Sequence, residues 1–427
     1  MLRPEQNALV TESGPQTPMG DVFRRYWIPT LLAEELPEPD CPPVRVTLLS
    51  ERLLAFRDSE GRLGLISEFC AHRRVSLWFG RNEEGGIRCP YHGWKYDVTG
   101  QCVDVPSEPK ESGFCETVKL AGYPLVEKGG VLWAYLGPKE AQPPLPEFEW
   151  MALPESRRYV SKRFQECNYL QAMEGGIDAS HVSFLHSGEL HTDPLHRNTK
   201  GAEYQKDTKP KYEIHESAGG LLIGARRNAD PGNYYWRITQ WIMPWYTMVP
   251  PYGDNALNSH AWVPVDDTNC FAWTITYHPT RDLTEEELSA MRDGKGIHAN
   301  LIPGSFRTVA NRANDYFMDR AAQKSGRLYS GVAGIAMQDA SLQESMGPVV
   351  DRSLERLVST DDAIIKARQR LLRAAKALQT EGQAPAGVEP VCHRVRSATF
   401  VLPVDQEYHK ARADAFVAKE GVPHTSI

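Results

Sequence analysis

The sequence predicts an α+β protein in two parts. A small antiparallel β-sandwich comes first, and an antiparallel sheet wrapped by helices follows. Three observations carry this. Short β-rich runs alternate with tight turns between Val44 and Tyr135. Beyond Glu149 the apolar runs lengthen, and their connections are too short for parallel crossovers. Beyond the N-terminal lead, helical signals appear in this second part, as a capping box at Thr284-x-x-Glu287 and an amphipathic run from Ala363 to Ala377.

Residues 1–37 read as a polar lead. Its one amphipathic piece, Asp21 to Trp27, is expected as a short docked helix ended by Pro29. Pro37, Pro39, Pro42 and Pro43 mark a loop, and a first domain is expected over 38–148. Its strands are Arg45–Leu49, Leu53–Arg57 and, after the turn Ser59-Glu60-Gly61, Leu63–Ile66. Tyr123–Glu127 and Val131–Tyr135 flank Lys128-Gly129-Gly130, a hairpin signal. The proline-rich run Gly137–Pro146 is the best boundary, which leaves a second domain over 149–427. There Leu221–Ala225 is expected to pair with Tyr234–Ile238, and Ala261–Val265 with Phe271–Ile275.

Composition excludes several classes. Lys plus Arg number 48 against 55 Asp plus Glu, so no basic footprint invites nucleic acid. No run of eighteen apolar residues suggests a membrane span, and the start lacks the apolar core of a signal peptide. The eight cysteines show no paired framework, which favours reduced thiols and a cytoplasmic setting.

The most informative stretch runs from Cys70 to His92. It reads Cys70-Ala71-His72, sixteen residues, then Cys89-Pro90-Tyr91-His92. Zinc accepts a Cys2His2 set. A [2Fe–2S] cluster with two cysteines on one iron and two histidines on the other needs the same donors. The order decides, since zinc fingers usually place both cysteines before both histidines. Here each loop gives one sulfur and one nitrogen, so each can touch both irons. The sequence His92-Gly93-Trp94-Lys95-Tyr96-Asp97 then runs from a glycine turn into an aromatic strand.

With these residues the chain resembles the terminal oxygenase component (alpha subunit) of Rieske non-heme iron aromatic-ring hydroxylases, most closely the phthalate dioxygenase-like branch. One departure stands out. The family's first loop reads Cys-Pro-His-Arg-Gly, and here Ala71 follows Cys70 and Arg74 replaces the glycine. The loop backbone at Arg74 is therefore expected to differ. The resemblance implies a helix-grip-like catalytic domain, a [2Fe–2S] Rieske cluster on Cys70, His72, Cys89 and His92, and a mononuclear Fe(II).

A second constellation fits that iron. The segment Asn168–His181 reads as helical after Gly175 and Gly176, with Asp178 and His181 sharing a face at i and i+3. His186 follows five residues after His181, roughly 140° around a regular helix, so the helix must end or bulge between them. Two histidines and one carboxylate make the facial triad of non-heme iron oxygenases. Asp339, after an apolar stretch, is the best carboxylate; Asp315 and Asp319 are rivals, and a helix N-cap is its bland alternative. Asp339 also matches the family's pattern of an acid or amide, Asp, four residues, Glu: Gln338-Asp339 to Glu344. The resemblance further implies that Asp178 bridges His181 to a cluster histidine, His92 or His72, of a neighbouring subunit. That in turn implies a homotrimer or a hexamer of stacked trimers.

For substrate, the branch commonly takes aromatic carboxylates, and a buried carboxylate wants an arginine fork. Arg226, Arg227 and Arg237 lie on expected strands, and adjacent Arg226 and Arg227 must face opposite sides. Trp236, Trp241, Met243, Trp245, Tyr246 and Met248 read more as core than as pocket. The expected activity is insertion of O₂-derived oxygen into an aromatic acid, ring cis-dihydroxylation first and O-demethylation second. No nicotinamide or flavin fingerprint appears, so electrons are expected from a separate NAD(P)H-dependent reductase. A pure electron carrier is the third reading, which iron content would separate.

Overall fold

A computed structural model describes residues 1–190, 193–195 and 199–427. The chain divides into two compact units. One comprises Ser13–Pro143; the other joins Met1–Glu12 to Pro144–Ile427. The segment 1–37 is therefore not a separate lead, because helix α1 (Pro4–Thr11) belongs with the C-terminal unit. There Tyr169 donates to the carbonyl of Val10, and Asn168 to that of Thr11.

In the Ser13–Pro143 unit, helix α2 spans Pro18–Phe23 and is capped by the Thr17 hydroxyl. It ends earlier than its amphipathic pattern suggested. Trp27 and Ile28 instead enter strand β1 (Trp27–Leu32), where Trp27 pairs with Tyr135. Pro29 sits in this strand without breaking it, because β1 is an edge and its register skips beside Pro29.

Three small antiparallel sheets follow. With β2 (Val44–Leu48), β3 (Glu51–Arg57), β4 (Leu63–Ser67) and β9 (Gly122–Tyr123), the first runs β2-β3-β4-β9. The second runs β5-β6-β7-β8 through β5 (Arg81–Glu83), β6 (Gly86–Arg88), β7 (Lys95–Tyr96) and β8 (Cys102–Asp104). The third, β1-β11-β10, uses the expected hairpin of β10 (Leu125–Lys128) and β11 (Val131–Tyr135). The two cysteine–histidine loops project from β4–β5 and β6–β7 over a core of Leu54, Phe56, Ile66, Ile87 and Tyr96.

The larger unit is built on an eight-stranded antiparallel sheet. Its strands are β12 (Arg158–Gln165), β13 (Lys211–Glu216), β14 (Gly220–Asn228), β15 (Asn233–Ile242), β16 (Tyr246–Val249), β17 (Leu257–Pro264), β18 (Cys270–Tyr277) and β19 (Ala398–Pro403). The order is β12-β18-β17-β16-β15-β14-β13, with β19 on the first half of β15. Both expected hairpins form: Ala225 faces Arg237, and Val263 faces Phe271.

Helix α3 (Tyr169–Ile177) lies against this sheet. The glycine pair falls inside its last turn rather than before it, so the segment is helical ahead of the glycines, not after them. The reason is close approach. A Cβ on Gly176 would stand 2.2 Å from the Trp262 ring, and one on Gly175 would stand 2.4 Å from Gln343. Gln343 belongs to helix α5 (Ile335–Ser345), which follows α4 (Glu285–Arg292) with its Thr284–Glu287 capping box. Helix α6 (Asp362–Glu381) carries the long amphipathic run.

Candidate metal centres

The first loop closes with the Cys70 N–H donating to the Val75 carbonyl and the Arg74 N–H to the Cys70 carbonyl. The second repeats the device: Cys89 N–H to Trp94 O, and Gly93 N–H to Cys89 O. In both, the fifth residue is left-handed, Gly93 at φ +78 and Arg74 at φ +61. The Arg74 backbone thus keeps the conformation that glycine would take, against expectation. The arginine bears the steric cost, about 1–2 kcal/mol, and its guanidinium rests 5.0 Å from the Phe69 ring.

The donors face one another in like pairs. The Cys70 and Cys89 thiols are adjacent and nearly inaccessible, at 1% and 2% exposure. Burial, and then the Cys70 neighbour, push the Cys89 thiol up. The His72 and His92 rings lie 4.4 Å apart at the surface, with His72 stacked on Trp94. Tyr96, unassigned from sequence, reaches under the first loop: its hydroxyl accepts the Ala71 N–H at 3.1 Å and lies 3.3 Å from Cys70 Sγ. Two soft thiols inside and two imidazoles outside suit a [2Fe–2S] cluster.

In the larger unit α3 stops at Ile177, and Asp178 is extended. His181–Ser183 form a single 3₁₀ turn, so no regular helix holds the two histidines apart. Their Nε2 atoms stand 3.2 Å from each other. Asp339 Oδ1, inside α5, lies 3.6 Å from His181 Nε2 and 3.4 Å from His186 Nε2. Cis donors on an octahedral ion with bonds of about 2.1 Å are about 3 Å apart, so this triangle fits one face of such an ion. Asp339 is mid-helix rather than an N-cap. Its rival Asp319 caps the short helix after it and pairs with Arg327, and Asp315 lies in a left-handed turn.

The outer partners fix the imidazoles. His186 Nδ1 meets Gln338 Oε1 at 2.7 Å, and Gln338 Nε2 donates to the Val332 carbonyl, so the amide presents its oxygen and His186 its Nδ1–H. His181 Nδ1 faces Asp178 Oδ2 at 3.4 Å. Asp178 Oδ1 accepts the N–H and hydroxyl of Ser180. Burial works to raise the Asp178 carboxyl, but the His181 and Ser180 contacts outweigh it and bring it to about 2. Gln338 stood in the sequence pattern without a role; its adjacency to Asp339 was the available signal. Glu189 accepts the Gly334 N–H and so ties the histidine turn to the start of α5.

The triad opens on a small cavity of about 90 Å³. Val182, Leu190, Val249, Ile297 and Ile335 line it, with Tyr252 and Trp262. Of the three arginines, Arg237 reaches it, 4% exposed and 4.4 Å over the Tyr252 ring. Arg227 instead clamps the histidine turn, donating to the Ala179 carbonyl and the Ser183 hydroxyl. Arg226 turns away to Glu213 and Tyr234. The Trp236–Met248 aromatics are core, outside the lining.

A family model for the Rieske [2Fe-2S] domain matches residues 26–124, and one described as LigXa C-terminal domain like matches 134–423. The chain is a Rieske non-heme iron oxygenase. It is an oxygenase component of the phthalate dioxygenase-like branch and so an O₂-incorporating oxidoreductase. The cofactors of this Rieske oxygenase are a [2Fe–2S] cluster and a mononuclear iron.

It is 38% identical to the 3-chlorobenzoate-3,4-dioxygenase oxygenase subunit of Comamonas testosteroni, over 96% of this chain and 98% of that protein. It is 36% identical to the phthalate 4,5-dioxygenase oxygenase subunit of Pseudomonas putida, over 97% and 95%. The 5,5'-dehydrodivanillate O-demethylase oxygenase subunit of a Sphingobium species is 38% identical over 91% and 84%. Dicamba monooxygenase bound to dicamba shares the fold, with a TM-score of 0.59 at 17% identity over 84% of this chain and 99% of that one. Among the described residues no helix is long and apolar enough to cross a membrane.

Proposed function

We propose that this oxygenase inserts O₂-derived oxygen into an aromatic carboxylic acid of the phthalate, benzoate or phenoxybenzoate kind, by ring cis-dihydroxylation. Arg237 carries the reading. It is a buried guanidinium at the cavity wall, its Nη1 has no hydrogen-bond partner, and among the described residues no carboxylate pairs with it. A buried unpaired cation is costly unless an anion arrives with the ligand. A carboxylate there, with the ring in the apolar part of the cavity, answers that cost.

In this proposal the Ser13–Pro143 unit holds the cluster on Cys70, His72, Cys89 and His92. The larger unit holds iron on His181, His186 and Asp339. Ferrous iron so bound would supply the binding and reduction of O₂, with three positions open beyond the triad. The chain's own part is orientation. Asp178 keeps a proton on His181 Nδ1, and Gln338 accepts a hydrogen bond from the His186 Nδ1–H, so both Nε2 lone pairs would face the ion. The apolar lining keeps bulk water from the ring. Ring dihydroxylation consumes the arene, O₂, two electrons and two protons. The electrons come from a separate NAD(P)H-dependent reductase, in line with relatives named as oxygenase subunits. Asp178 reaches a cluster histidine of a neighbouring subunit, which makes the working unit a trimer or stacked trimers. The six cysteines beyond Cys70 and Cys89 show no paired framework, which fits a reducing, cytoplasmic setting.

The O-demethylase relative supports a second reading, removal of a methyl group from a methoxylated aromatic acid. Labelled O₂, reductant and a panel of benzoates, phthalates, phenoxybenzoates and methoxybenzoates separate the two by mass spectrometry. A product with two labelled oxygens and two added hydrogens supports dihydroxylation. Loss of one methylene with release of formaldehyde supports demethylation. Turnover of neutral arenes in preference to every acid would overturn the role of Arg237.

A further inference from the structure

The buried arginines Arg24, Arg352, Arg368 and Arg396 each meet a glutamate. Arg163, on β12, does not. It is 4% exposed, and its Nε and Nη1 have no hydrogen-bond partner. Its Nη2 reaches only the amide oxygen of Gln165, at 3.4 Å. A guanidinium keeps its proton inside a protein. A charge so placed is costly unless an opposite charge answers it nearby.

The sheet register and one hydrogen bond show where that charge lies. Arg163 stands opposite Ala272, and Ala272 opposite Trp262, so Arg163 and Trp262 share one face of the sheet. Trp262 lines the cavity at the triad, and Gly176 of α3 packs on its ring. Arg163 is therefore on the inner face, beneath the helices. Gln165, two residues on, shares that face, and its Nε2 donates to Gln343 Oε1 of α5 at 2.7 Å. Gln343 and Asp339 stand at i and i+4, so they follow one another on one side of α5. The two rows keep step. Arg163 lies about 7 Å along the strand from Gln165, and Asp339 about 6 Å along the helix from Gln343.

Electrostatics agree on the direction. Burial opposes the charge of Arg163, and Asp339 is the neighbour that favours it most, ahead of Glu344. Glu344 is already engaged by the Tyr316 hydroxyl and the Glu166 N–H. Arg163 is not on the cavity lining, and its free nitrogens are closed off. It can act on the site as a charge, but not as a contact for a ligand.

His181 and His186 are neutral as metal ligands, and Asp339 is the one negative group of the triad. A positive charge set close to that carboxylate offsets it. An iron on these ligands would then feel little net negative charge from the protein. That penalises the ferric ion more than the ferrous, and it favours an anion at the open positions.

We infer that Arg163 is a positioning residue of the iron site, acting through Asp339: its buried charge offsets the carboxylate, favours ferrous over ferric iron and draws small anions to the open positions. This rests on the iron assignment proposed above and adds a residue outside the ligand set.

Redox titration of the holoenzyme tests it, followed by the EPR signal of the high-spin ferric ion. Azide titration of the ferric site is the second readout. In Arg163→Met the equilibrium shifts about tenfold towards ferric, about 59 mV for one electron, as for a charge about 10 Å away at an effective dielectric of about 20. Azide affinity falls about tenfold as well. Arg163→Lys keeps the charge and stays within about threefold of the wild type on both. Iron content holds in both variants. The inference is overturned if Arg163→Met leaves potential and azide affinity unchanged, or if Arg163→Lys shifts as far as Arg163→Met. Loss of iron in Arg163→Met would mean a brace for α5 and would also overturn it. Should Arg163→Met not fold, Arg163→Gln decides on the same two readouts, and failure of that variant to fold counts against the inference too. Failure of the parent reading has a different sign. His181→Ala then keeps the ferric signal, because the iron is not on the triad, and the inference falls with it.

Discussion

The two metal centres solve the same problem at different depths. The cluster loops lie at a surface, with imidazoles exposed and thiols inside, and each loop is closed by its own main-chain hydrogen bonds. The triad draws a 3₁₀ turn and a distant helix together and is held by side chains from elsewhere. A buried glutamate braces each. Glu68, two residues before Cys70, takes Arg52, Arg45 and Ser76, and both arginines are about half exposed. Glu174, on α3 before the triad turn, takes Arg352 and Arg368, which are almost wholly buried. An electron entry site can stand in solvent, whereas an oxygen-activating site must be enclosed, and its supports are enclosed with it.

That difference can be broken at four places. The largest effect falls on the braces. Glu174→Gln leaves two buried guanidinium groups short of charge and costs about 3 kcal/mol or more, while Glu68→Gln costs about 1 kcal/mol because water covers its partners. Hydrogen exchange of peptides from α3 and from 68–80 measures both. Burial opposes ionisation in each, yet the arginines, with Ser76 at Glu68, hold both carboxyls below their ordinary value. Their stabilisation is therefore full above about pH 4.3 and lost as pH falls through the lower folded value. Each Gln variant flattens that acid limb, Glu174→Gln the more.

Next in size is Asp178→Asn, which retains both metals and lowers coupled turnover about 100-fold. Stopped-flow reoxidation of the reduced cluster reads the step that slows. Gln338→Ala weakens iron binding about 10-fold or more, with cluster absorbance unchanged, since only His186 loses its outer partner. The smallest effect is at Arg74. Arg74→Gly changes stability by less than about 1 kcal/mol, strain relief offsetting chain entropy. Arg74→Val, β-branched at a positive φ, loses cluster on purification.

Those contrasts also explain what the sequence made legible. Cys70, His72, Cys89 and His92 lie within two local loops, so their spacing and order pointed to a [2Fe–2S] cluster. The hairpins over 125–135, 220–242 and 257–277 were equally local. The histidine turn was only half readable. The five-residue spacing of His181 and His186 demanded a broken helix, but where it breaks depends on Gly175 and Gly176 packing on Gln343 and Trp262. Strand β1 was misread because its partner β11 lies far along the chain. Among the arginines, alternation excluded a shared face for Arg226 and Arg227, yet only packing separates the clamp Arg227 from the cavity residue Arg237. Tyr96 carried no local signal, since a tyrosine on a strand is ordinary core until its neighbours are known.

The most direct measurement is the iron and acid-labile sulfide count of the purified holoenzyme and of His181→Ala and His186→Ala, with the EPR signal of the reduced cluster recorded beside it. The expected result is three irons and two sulfides per chain in the wild type. Both variants should carry two of each, with the cluster signal kept and oxygen insertion abolished. Three irons retained in either variant, or a cluster signal lost along with the third iron, would contradict two independent centres.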